Sequence, residues 1–284
     1  MSLAPAFLLA AVVAAAAWYL GTGLIAWADR RPPRAHARLL ALAGLAAVLA
    51  MGALWWSAAR ATPLGVVAGF MGAITLWGWH ELAFLLGAVT GPNREPAQPG
   101  LAGWARFRAA AATLIHHEIA LALTAALLGV LLWDAANPTG ALVFALLWAL
   151  RLTAKLNLHA GVPNPTAELL PPQLSYLASY FRRRARAPGL ALTLALIAAL
   201  ACWLGAAALA APSAAAATML AMLFTLTALG LVEHVFLALP VREAAIWRWA
   251  VPLSAGPVAI VASPPRPSPA GSTTTTTQGL GRDE

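Results

Sequence analysis

Five of the six histidines in this chain fall inside long apolar runs, and three of them stand directly beside a glutamate. The groups are His80-Glu81, His116-His117-Glu118 and Glu233-His234. A fourth apolar run carries Arg151, Lys155, Asn157 and His159. Only His36 lies in a polar segment. Imidazole and carboxylate together suit zinc, iron or manganese. A histidine alone can bind the metal of a tetrapyrrole axially, and alternating His and Glu can pass protons. The same residues can also simply satisfy one another, with Arg151 or Lys155 as counter-charges. All four readings stay open at this point. The spacing matches no specific template: there is neither His-Glu-x-x-His nor the Glu-x-x-His pair of di-iron bundles. Neighbouring residues on a helix point about 100° apart, so both members of a His-Glu pair need not reach one centre. Arg151, Lys155 and His159 are four residues apart and share one helix face.

These residues need explaining because of what surrounds them. The chain has 284 residues, of which 61% are hydrophobic and 10% charged. Soluble domains carry roughly 25% charged residues, so part of this surface must face lipid. Runs of about 20 apolar residues can cross the hydrocarbon core. Such runs occupy 4–27, 39–59, 63–89, 108–133, 140–159, 190–210 and 214–240. Proline, glycine and asparagine divide them, as at Pro32-Pro33, Gly91-Pro92-Asn93, Asn137-Pro138 and Pro212. The expected fold is an all-α transmembrane bundle of about seven spans over residues 1–250. Residues 251–284, rich in Pro and Thr, read as a disordered cytoplasmic tail. The first run is too long for a signal sequence and lacks a basic start, so it reads as a retained helix. A short interfacial helix is expected over Gln173 to Phe181.

Arginine sets the orientation. Arg30, Arg31, Arg34 and Arg38 follow the first run; Arg94, Arg106 and Arg108 follow the third; Arg182, Arg183, Arg184 and Arg186 follow the fifth. Arg242, Arg248, Arg266 and Arg282 follow the last, while Arg60 alone falls in an opposite loop. The arginine side is cytoplasmic, which puts the N-terminus out and the C-terminus in. The net charge of +8 is therefore assigned to anionic lipid rather than nucleic acid. No Gly-rich phosphate loop is present. Cys202 is the one cysteine, so no intramolecular disulfide can form.

Depth then unites the polar residues. At 1.5 Å per residue, His80 lies about 13 Å from the cytoplasmic end of its run, His116 about 12 Å, Glu233 about 10 Å and Lys155 about 6 Å. Helices of opposite direction thus place one layer in the inner half of the bilayer. Its expected members are His80, Glu81, His116, His117, Glu118, His159, Glu233 and His234, supported by Arg151, Lys155 and Asn157. As a metal centre it would use His80, His116, His117 and His234 with a glutamate or two.

Several motifs in order resemble the PuhE family of photosynthetic complex assembly proteins of purple bacteria. They are Trp79-His80-Glu81 with Phe84, Gly87 and Gly91-Pro92; His116-His117-Glu118; and Lys155-Leu156-Asn157 followed by Gly161-Val162-Pro163-Asn164. Glu168 with Pro171, Tyr176-Leu177 with Ser179-Tyr180-Phe181, and Glu233-His234 with Phe236 and Pro240 complete the set. The resemblance covers roughly 60–250. It implies an assembly factor for the reaction centre and light-harvesting complex, or for their bacteriochlorophyll supply. The place implied is the bacterial cytoplasmic membrane or its intracytoplasmic extensions. The implied partners are reaction-centre or light-harvesting subunits, or bacteriochlorophyll itself. It implies no catalytic residue. The rival expectation is a membrane metalloenzyme, an oxidoreductase acting on pigment or lipid. The cofactor is left open between a transition metal and a tetrapyrrole.

Overall fold

A computed structural model describes residues 3–165, 167, 170–241, 246, 247, 249 and 250, with side chains from Pro5 onward. The elements are α1 (Leu3–Asp29), α2 (Pro33–Ala58), α3 (Pro63–Leu85), α4 (Gly103–Ala111), α5 (Ile115–Leu131), α6 (Thr139–Ala160), α7 (Pro188–Leu209) and α8 (Ala214–Ala238). A 3-10 helix covers Pro172–Tyr180, where a short interfacial helix is expected. Among the described residues there is no strand, only an isolated bridge between Val162 and Arg183. The expected tail, 251–284, lies outside the described residues.

Five helices are long and apolar enough to cross a membrane: α1 from Pro5, α2, α6, α7 and α8. The bent pair α4–α5 makes a sixth if it counts as one span. Several such helices in one chain make this a multi-pass membrane protein. Helix α3 has 23 residues, about 34 Å of helix, but Trp77, Trp79, His80 and Glu81 lower its apolarity. It is instead the most enclosed element, packed against α1, α2, α5, α6 and α8. The core gathers around Phe70 and Trp77 of α3, Leu121 of α5, Phe144 of α6, and Met222 and Leu226 of α8. The outer faces are apolar too. Leu45 and Leu49 of α2, Leu123 and Val130 of α5, and Leu192 and Leu196 of α7 are exposed. Apolar surface outside and polar residues inside is the arrangement lipid selects.

The helix ends show why the chain turns where it does. Thr62 caps α3, its Oγ1 accepting from Gly65 N at 3.1 Å, with Pro63 at the first helical position. Ser213 caps α8 in the same way, accepting from Ala216 N at 3.2 Å. Asn137 ties the α5–α6 turn to the end of α2. Its Nδ2 donates to Ser57 O at 3.1 Å and its backbone N to Ala58 O at 2.9 Å.

Two expected runs are corrected. The run 63–89 stops being helical at Leu85. The run 108–133 is not one helix: α4 and α5 meet at a 68° bend. The reason lies in the loop after α3, which crosses the bend and takes up the backbone groups freed there. Asn93 N donates to Ala112 O at 3.1 Å, His117 N donates to Thr90 O at 3.1 Å, and Asn93 Nδ2 donates to Ala109 O at 3.0 Å. Gly91 is required at the crossing, because a Cβ there would run into the backbone of Ala112 and Thr113.

Candidate functional site: a buried polar layer

The bend places His117 and Glu118 in the first turn of α5, facing the core. From α3, Glu81 meets them. Its Oε1 is 3.6 Å from His117 Nε2, and its Oε2 is 3.7 Å from Arg151 Nη2. Arg151 also donates from Nη1 to Glu233 Oε1 at 2.5 Å, which brings in α8. One strand of the network therefore runs His117–Glu81–Arg151–Glu233 across α5, α3, α6 and α8.

A second strand lies beside it. Lys155 Nζ donates to Glu118 Oε1 at 2.6 Å, and Trp148 Nε1 donates to Glu118 Oε2 at 3.0 Å. The ammonium also faces the ring of Phe84, 5.6 Å from its centroid. Three carboxylates thus stand against two fixed cations. In a low-dielectric interior such groups persist only when paired.

His117 is the exception to good pairing. It is 0% exposed, and among the described residues neither ring nitrogen makes a hydrogen bond; Nε2 has only the longer, 3.6 Å approach of Glu81 Oε1, which makes none either. Phe84 stacks on its ring at 4.5 Å. A buried polar group without a hydrogen bond costs about 1–3 kcal/mol. Such a group is a functional candidate.

The remaining expected residues divide into separate contacts. His80 Nε2 lies 3.0 Å from Thr124 Oγ1. His234 uses both nitrogens, Nδ1 at 2.8 Å from Gly230 O and Nε2 at 3.1 Å from Thr153 Oγ1. Asn157 donates to Thr153 O at 2.9 Å and to Thr193 Oγ1 at 3.1 Å. His116 points away and is exposed on the outer face of α5. His159 shares a helix face with Arg151 and Lys155 but belongs to another cluster: Arg106 Nη1 lies 3.3 Å from its Nδ1.

The expected four-histidine metal set, His80, His116, His117 and His234, is not gathered. Among the described residues no group of three or more His, Cys, Asp or Glu side chains is placed to hold a metal ion. The rings of His80 and His234 are held by threonines, and the step of about 100° between neighbours turns His116 out to the exposed face while His117 is buried. Axial binding of a tetrapyrrole fits no better at His117, whose ring is wholly enclosed.

Sequence reasoning missed Trp148, Thr124 and Thr153, whose polar atoms serve the layer. All three stand on the inward faces of α5 and α6. It also missed Arg106, expected in a loop yet buried in α4. Outside the spanning helices, Tyr176 of the 3-10 helix is shifted by its surroundings. Burial pushes its phenol above the usual value, and Arg94 opposes the shift.

A multi-pass helical protein with a polar layer buried among α3, α5, α6 and α8 is the class that these observations define. Residues 5–257 match the family described as "Protein of unknown function (DUF3623)", and the chain belongs to that family. A relative from Rhodobacter capsulatus is described as an uncharacterized 30.4 kDa protein in the puhA 5' region. It is 36% identical over 252 residues, covering 87% of this chain and 92% of the relative. No solved structure matches the chain.

Proposed function

We propose that this protein is an assembly factor of the anoxygenic photosynthetic apparatus, a PuhE-type protein that assists the reaction centre and light-harvesting complex or their bacteriochlorophyll supply. One observation carries the reading: the relative that shares most of this chain's length is placed beside puhA, a photosynthesis gene. The motif resemblance across roughly 60–250 agrees with it. The metalloenzyme reading has no observation in its favour.

The buried layer suits a holding role. Paired charges and threonine-held histidines fix α3, α5, α6 and α8 relative to one another, and His117, buried among them without a hydrogen bond, is the residue of the layer that acts beyond holding. His116, exposed on the outer face of α5, is the histidine that a pigment in the lipid could reach. Reaction-centre or light-harvesting subunits, or bacteriochlorophyll, are the partners this reading names.

It also includes seven spans, with α3 and the bent α4–α5 pair each counted once. The N-terminus is then outside and the C-terminus in the cytoplasm, within the cytoplasmic membrane or its extensions. The support is the length of α3 and the one-sided distribution of arginine.

Deleting the gene under phototrophic growth tests the function. Levels of the reaction centre and light-harvesting complex should fall while respiratory growth is unaffected. Unchanged complex and pigment levels would end the proposal.

A further inference from the structure

Positive charge also collects at the C-terminal end of α6, away from the polar layer. Arg106 of α4 is only 6% exposed. Its guanidinium donates to Tyr180 O at 2.5 Å and to His159 O at 3.2 Å, and it lies 3.3 Å from His159 Nδ1. Carbonyl groups fix the guanidinium in place but carry no negative charge to balance it. Arg182 and Arg184 are close enough to repel Arg106, and Arg182 acts on His159 as well.

The backbone holds these arginines together. Arg182 N donates to Leu158 O at 3.0 Å, Val162 N to Arg182 O at 3.1 Å, and Arg184 N to Val162 O at 2.9 Å. The Arg184 stem lies across Gly161, where φ is +118° and a Cβ would stand 2.6 Å from Arg184 Cδ. Glycine is what lets the arginine segment close onto the helix end. Among the described residues, no carboxylate pairs with Arg106, Arg182 or Arg184. The helix dipole offsets a little of the charge, but the carbonyls of Leu158 and His159 are already in use.

We propose that Arg106, Arg182 and Arg184, with His159 beside them, form a binding site for a phosphate-bearing anion, the headgroup of an anionic phospholipid. Guanidinium groups match phosphate oxygens in a fork that carbonyls cannot replace. Basic loops at a membrane surface often just line it. Here one arginine is buried, its position is fixed by three contacts, and no carboxylate among the described residues matches its charge. The neighbours argue for lipid rather than an acidic protein segment. The cluster lies where the apolar α6 ends and the apolar α7 begins. Exposed Trp104 stacks on Phe107 at 4.9 Å, and Phe107 meets His159 edge-on at 5.6 Å. Aromatic side chains of this kind mark headgroup depth.

The test uses the full-length protein purified in detergent and native mass spectrometry. Phosphatidylglycerol and phosphatidylcholine are offered at equal concentration. The wild type should retain phosphatidylglycerol preferentially. Arg182→Gln/Arg184→Gln should weaken that retention about 25-fold, at about fivefold per arginine. Arg60→Gln, in the loop between α2 and α3, should leave it unchanged. If the double variant does not fold, Arg182→Lys/Arg184→Lys keeps the charge, loses the fork and should still weaken retention. Inorganic phosphate in excess should not displace the lipid; displacement would move the assignment from a lipid headgroup to free phosphate and overturn the lipid source. Equal retention of the two lipids, or retention unaltered in both double variants, would overturn the site.

Discussion

Replacing Lys155 by Met should destabilise the protein sharply, and replacing Glu118 by Gln in the same molecule should restore most of the loss. The Lys155–Glu118 pair is the tightest ion pair of the second strand at 2.6 Å, with side chains 19% and 13% exposed. Removing the ammonium leaves an enclosed carboxylate whose remaining donor is Trp148 Nε1 at 3.0 Å. Breaking a buried pair from one side costs about 3–5 kcal/mol. Partial exposure and the indole bond place this case near about 3 kcal/mol. At roughly 2–4 °C per kcal/mol, that is a fall in Tm of about 6–12 °C. In Lys155→Met/Glu118→Gln the charge is gone, and the glutamine oxygen still accepts from Trp148. Its stability should return to within about 1 kcal/mol of the wild type. The coupling in the double-mutant cycle should therefore be about 2–3 kcal/mol. Thermal unfolding followed by far-UV circular dichroism, all four proteins in one detergent, measures it. Additive effects, or a Lys155→Met variant as stable as the wild type, would show that the pair is not the buried, mutually dependent unit described above.

Other expectations follow from the same geometry. Asn137→Ala removes the side-chain tie from the α5–α6 turn to Ser57 and should cost about 2 kcal/mol in the same unfolding assay; a loss below measurement error would contradict the tie. Gly91→Ala puts a methyl group onto the backbone of Ala112 and Thr113. It should lower Tm by an amount equivalent to about 2–3 kcal/mol; a neutral result would mean the loop does not cross the bend so closely. Reporter fusions to the C-terminus should be active in the cytoplasm, and a fusion active only in the periplasm would reverse the orientation.

Much of the helical layout was legible because apolar runs and their Pro, Gly and Asn boundaries are local signals. Thr62-Pro63 and Ser213 begin helices for reasons visible within four residues. The α4–α5 bend was not legible. Residues 108–133 are apolar enough to read as one helix, and the groups that stabilise the break come from Thr90 and Asn93, on a loop well upstream. The site was legible in part for the same reason. Depth along each helix set His80, His116, Lys155 and Glu233 in one layer; among that layer's expected members, Glu81, His117, Arg151 and Glu233 are ones whose side chains meet. Rotation about each helix is a matter of packing, so the sequence could not separate buried His117 from exposed His116, or send His159 to Arg106. Nor could it foresee that threonines would meet the rings of His80 and His234, apart from His117.

His117 tests the central claim most directly. It is wholly buried and its nitrogens make no hydrogen bond among the described residues, so His117→Phe, which keeps the stack on Phe84 and leaves Glu81 to Arg151, should fold as well as the wild type. The measurement is the near-infrared absorbance of membranes from a deletion strain complemented with wild-type or His117→Phe protein at equal abundance. Wild type should restore the bands of the assembled pigment-protein complexes, and His117→Phe should leave them depressed. Bands at full strength in the uncomplemented deletion strain would contradict the assembly role; full restoration by His117→Phe would remove the buried layer from it.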